Sequence, residues 1–109
     1  MLAAALLFLT AATAEPPSPV QCHIAANRMA EWTVLGQGMV ENLEKRGAIP
    51  PERKELYEAM KTTIAVDLPL VEQALARFKD VKSTEADDKA FGTPNPQQMR
   101  AMLKLCNAH

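Results

Sequence analysis

The chain is poor in most of the residues that carry chemistry or bulk. Of its 109 residues only two are cysteine, two histidine and four glycine, and the aromatics amount to three Phe, one Trp and one Tyr. Each scarcity excludes something. Two cysteines allow one intrachain bridge and contain no Cys-x-x-Cys-His, so covalent haem attachment is excluded. No glycine-rich phosphate loop and no carboxylate-rich calcium loop occurs. Alternating β-branched runs, internal repeats and low-complexity segments are absent, so no strand is expected and the class is all-α. Charge of one sign is lacking too. Twelve basic and thirteen acidic residues are interspersed to a net charge of −1, which points to neither nucleic acid nor a strongly anionic membrane as a partner.

The longest apolar run, Leu2 to Leu9, is far short of the roughly 20 residues needed to span a bilayer. It is followed by small residues, with Ala12 and Ala14 at the minus-three and minus-one positions before Glu15, and then by Pro16, Pro17, Ser18 and Pro19. This is the pattern of a secretory signal peptide over residues 1–14, leaving a mature helical domain at 15–109 in the periplasm or outside the cell. No Lys or Arg precedes the run, so either the amino group supplies the region's positive charge or further residues precede Met1. Pro19, Val20 and Gln21 before Cys22 do not resemble a lipoprotein cleavage site. No transmembrane segment is expected after signal removal.

A mature chain of this size makes one domain with a marginal core. In an oxidising compartment Cys22 and Cys106 would pair. Closing a loop of about 85 residues is worth about 4.5 kcal/mol in the chain-entropy model, comparable to the whole stability of such a domain.

What the sequence does have is helical periodicity with clear punctuation. Cys22, Ala25, Met29, Trp32, Gly36, Met39 and Leu43 recur at steps of three and four, flanked by Leu35 and Val40, and make one buried seam with Trp32 at its centre. Ser18 caps this helix, Pro19 opens it, and Lys45 and Arg46 close it before Gly47. Gly36 and Gly38 each weaken it by about 1 kcal/mol relative to Ala, and mark either a close approach by another helix or simple tolerance. A second helix opens at Pro51 and Glu52 with an apolar face of Leu56, Tyr57, Met60 and Ile64. The pattern then meets Pro69, which either kinks a helix continuing through Val71, Ala74, Leu75, Phe78 and Val81 or begins a new one. Residues 82–94 are polar and read as a loop with room for one helical turn. A last helix starts at Asn95 and Pro96, with Gln98 placed to complete a capping box and a seam of Met99, Met102, Cys106 and His109.

The cysteines choose between the two layouts, because a disulfide needs its Cα atoms within about 7 Å. One continuous helix over 51–82 would give three helices with the last parallel to the first, which holds Cys22 and Cys106 some 20 Å apart, the length of the last helix. A break at Pro69 gives four helices alternating in direction, and the bridge forms. The expected fold is therefore a small up-down-up-down four-helix bundle, with a three-helix bundle kinked at Pro69 as the alternative.

That layout gathers Cys22, His23, Cys106 and His109 at one end, with Met102 a turn away. Reduced, these are soft ligands for copper or zinc; oxidised, the thiolates are lost to a disulfide flanked by two histidines. Non-covalent haem held by His109 or His23 with Met29 or Met102 is the other cofactor the residues allow. The five methionines of the mature chain all fall on seam positions, where a flexible thioether fills a core without any cofactor. Catalysis has little foothold, since neither histidine sits beside a nucleophile and the pairs Glu41/Glu44, Glu52/Glu55 and Glu55/Glu58 fall on polar faces. The chain reads as a non-enzymatic binding module for a protein or small ligand. The bundle ends and the polar segment 82–91, with Asp87 and Asp88, are the candidate partner surfaces. A metal or haem carrier is the alternative.

Overall fold

The structure is a computed structural model that describes residues 16–47 and 49–108. The signal-peptide reading of residues 1–14 and the candidate ligand His109 lie outside the described residues. Among the described residues there are four helices and no strands: α1 (Pro19–Lys45), α2 (Pro51–Arg77), α3 (Glu85–Phe91) and α4 (Pro96–Ala108).

Local chemistry sets three of the four starts. At α1 the Ser18 hydroxyl accepts from the Gln21 amide while the Gln21 side chain accepts from the Ser18 amide, and Pro19 takes the first helical position. Thr84 and Asp87 form the same reciprocal box at α3, and Asn95 and Gln98 form it at α4. Each box satisfies two amides that a helix start otherwise leaves unpaired. Proline alone marks the start of α2, where Pro50 makes no side-chain cap. Gly47, at φ +93°, turns the chain out of α1, and Gly92, at φ +74°, turns it out of α3. Both φ values lie where glycine has no steric penalty.

Pro69 does not break the second helix. It sits inside α2, which runs unbroken for 27 residues. The physical reason is its position on the turn facing away from the core. Ala65, whose carbonyl loses its amide partner to the proline, and Pro69 itself are both exposed, so water can take up the unpaired acceptor. Val71 and Ala74 beyond it are buried, and their packing carries the helix on.

The alternation of direction nevertheless holds, with α3 rather than the second half of α2 as the third helix. His23 Nδ1 lies 3.0 Å from the Phe78 carbonyl oxygen at the foot of the bundle. Higher up, the Arg28 guanidinium meets the Gly92 carbonyl, and its Nη2 pairs with Asp88 Oδ1 at 3.0 Å, so residues 78–92 climb α1. From there α4 descends, with Arg100 against Asp67 near its start and Cys106 joined to Cys22 at its end. The disulfide, with Cα atoms 5.9 Å apart across 84 positions, ties the first turn of the fold to the last.

The core lies where α4 covers α1 and α2. Ala25, Ala26 and Met29 of α1 meet Val71 and Ala74 of α2 and Met99 and Leu103 of α4. Three alanines at this contact let the helices approach closely, and Met29, Met99 and Leu103 fill the space between them.

Candidate functional site

At about 1.5 Å per residue α1 and α2 are each about 40 Å long, whereas the 13 residues of α4 cover only about 20 Å. The upper halves of α1 and α2 therefore project beyond α4 as a two-helix arm. The apolar stripe that packs against α4 lower down continues along this arm, and no other described element lies on it.

The result is an apolar groove of about 550 Å³. From α1 it is lined by Trp32, Leu35, Gly36 and Met39, and from α2 by Leu56, Ala59, Met60, Thr63 and Ile64. Its lower end is closed by Pro96 and Arg100 at the start of α4, with Asp67 and Thr33 at the floor. Trp32 and Met39 were expected in a buried seam, with Trp32 at its centre. Instead Trp32 is 55% exposed, Leu35 64%, Met39 55% and Leu56 55%. Positions 33 and 40, one residue further along, are the buried ones. The α1–α2 contact covers only one side of a wide apolar face, and the helix that would cover the other side stops at Pro96. Gly36 does mark a close approach: a Cβ there would stand 3.2 Å from Ile64 Cδ1. Gly38 faces open space, and nothing in the fold requires it.

The floor of the groove holds the most enclosed ion pair of the fold. Asp67, only 6% exposed, accepts from Arg100 Nε at 2.5 Å and from Nη2 at 2.9 Å. This two-pronged contact fixes the start of α4 and raises the Arg100 pKa above its ordinary value, chiefly through the hydrogen bonds to Asp67. Thr33 is also buried, and its hydroxyl donates back to the Met29 carbonyl at 2.7 Å, so its one donor is satisfied within α1. Higher on the arm, the Tyr57 hydroxyl donates to Glu44 at 2.6 Å and ties α2 to α1.

The expected site residues fall elsewhere. Cys22, His23 and Cys106 do meet at the foot of the bundle, but both cysteines are spent in the disulfide, which removes the thiolates from any ligand set. His23 donates from Nδ1 to the Phe78 carbonyl, and its Nε2 lies 3.4 Å from the Asn27 amide nitrogen. Met102 packs half-buried against the core. Among the described residues no three His, Cys, Asp or Glu side chains converge on one point. Asp87 caps α3, and Asp88 pairs with Arg28, whose guanidinium also lies 4.8 Å over the Phe91 ring. These contacts hold α3 against α1. Arg77 donates to the Cys106 and Asn107 carbonyls at the end of α4, where a cation complements the helix terminus. No family model matches the chain, and no curated protein or solved structure is significantly similar to it.

Proposed function

We propose that this protein is an exported binding module, stapled by its disulfide, which holds an α-helix of a protein partner in the groove above α4. One observation carries the reading: the open groove continues the same α1–α2 track on which α4 already lies. A surface shaped to seat one helix is followed, without interruption, by an equal length of the same surface left open. Helix-in-groove recognition uses apolar anchors at i, i+3, i+4 and i+7 on the incoming helix, and α4 meets the lower track in that way through Met99, Leu103 and Cys106. An exposed apolar patch of about 400 Å² is the size of the largest patch on a typical chain, and such patches are often binding sites.

Export is supported by the signal-like run over residues 1–14 and by the disulfide, which persists in oxidising compartments. Among the described residues no helix is long and apolar enough to cross a membrane, which is compatible with that location.

The test is calorimetric titration with a three-turn amphipathic helical peptide, using a sequence-scrambled peptide and a long-chain fatty acid as comparisons. Binding of the amphipathic peptide alone, lost in Leu35→Glu, is the expected result. Binding of the fatty acid alone would replace a protein partner with a small ligand, and no binding by any of the three to the monomeric chain would remove the groove as a site.

A further inference from the structure

Resting on that reading of the groove, we infer that its occupant is a second copy of this chain, packed arm against arm about a two-fold axis to make a central four-helix bundle. Four features of the arm lead there.

The first is what α4 forbids. It occupies the lower α1–α2 track on the same face, so two chains stacked in parallel would drive one α4 into the other. Antiparallel overlap avoids this, because each arm then lies beyond the start of the other chain's α4. The second is length. The arm runs from the level of Thr33, where α4 begins, to Lys45, about 18 Å at the helical rise. An antiparallel copy offers an arm of the same length, so one fills the other from tip to floor, with Met39 close to the two-fold axis.

The third is area. Trp32, Leu35, Met39 and Leu56 each leave roughly 100 Å² open, about 400 Å² per chain. Two such faces closing on one another remove at most about 800 Å², the small end of the range, which fits a weak dimer that forms at micromolar concentration. The fourth is charge at the rim. With Met39 near the axis, Glu31 on the flank of one α1 comes to the height of Lys45 and Arg46 of the antiparallel α1, so the register that fills the groove also brings opposite signs to the same level. An isologous contact of this kind is the commonest way for a chain to close on itself.

Light-scattering mass of the disulfide-bonded mature chain at micromolar concentration tests this. The expected result is the mass of two chains. Leu35→Glu should raise the dissociation constant about 100-fold by placing a charge in the apolar contact. Its far-ultraviolet ellipticity should stay unchanged, because Leu35 is already 64% exposed in the single chain. Val34→Glu, equally exposed but outside the groove, should remain a dimer. A short bismaleimide should link two chains through Met39→Cys and fail to do so through Lys45→Cys. Linkage at 45 rather than 39 would overturn the antiparallel arrangement. A chain that is monomeric at these concentrations yet still takes the amphipathic peptide would overturn the second copy and leave the groove reading standing. A monomer that takes no peptide would overturn both.

Discussion

Replacing Arg100 by Met should destabilise the protein by about 2–3 kcal/mol, and replacing Asp67 by Leu in the same chain should restore most of the loss. The Asp67 carboxylate is almost fully enclosed, and both of its oxygens accept from one guanidinium. Arg100→Met keeps most of the aliphatic packing but strands the carboxylate, for which buried pairs lose about 3–5 kcal/mol. The guanidinium side chain is 23% exposed, so water reaches part of the pair and the loss falls to the bottom of that range or somewhat below it. With Asp67→Leu the charge to be stranded is gone, and the double variant should lie within about 1 kcal/mol of the parent. Urea unfolding followed by far-ultraviolet ellipticity, with the disulfide intact, reads this directly. At the urea sensitivity of a small domain, the single variant's midpoint should fall by roughly 1–2 M. A loss below about 0.5 kcal/mol in Arg100→Met, or strict additivity in the double variant, would refute the reasoning that this pair fixes the start of α4.

Further outcomes follow from the same contacts. Pro69→Ala should stabilise the protein by about 2 kcal/mol in the same assay, an interior proline penalty of about 3 offset by about 1 from the looser unfolded chain; a neutral or destabilised variant would mean that the helix does break there. Cys22→Ala with Cys106→Ala should lose about 2–4 kcal/mol, below the chain-entropy figure because unfolded chains retain structure; an unchanged midpoint would deny the bridge its role. Tyr57 is the one tyrosine of the chain, so its ultraviolet titration is read without interference. Its hydrogen bond to Glu44 is the main cause of a pKa raised above 10, and Glu44→Ala should lower the midpoint. Because the folded value lies above the unfolded one, this contact supports the fold below pH 10 and is lost as pH rises through the raised value. A midpoint at or below 10 in the parent would contradict the bond.

What could be read from the sequence was whatever depends on near neighbours. Ser18 with Pro19, Asn95 with Pro96 and Gln98, and Lys45 and Arg46 before Gly47 act within one turn, so their residue types state helix boundaries outright. The disulfide and the alternation of direction were legible as well, because a covalent reach limit acts on topology. Whether the helix breaks or continues at Pro69 was not legible, because a proline's effect depends on which side of α2 faces water. The same blindness hid Asp67, whose burial no local pattern announces, and Leu103, which lies at the centre of the core although the expected seam passes it by. The groove residues were visible as an apolar stripe. Periodicity reports that a stripe exists and says nothing of whether a neighbour covers it, so Trp32 was placed inside when α4 stops short of it.

Trp32, the one tryptophan of the chain, lies on the groove wall and gives the most direct measurement of whether that wall is covered. Acrylamide quenching of its fluorescence should be followed through a dilution series of the native protein, and again with saturating amphipathic peptide. The expected result is strong shielding at high concentration or with peptide, falling on dilution and in Leu35→Glu to that of a half-exposed indole. Trp32 quenched as readily as a half-exposed indole at every concentration, with and without peptide, would contradict the groove as a binding surface.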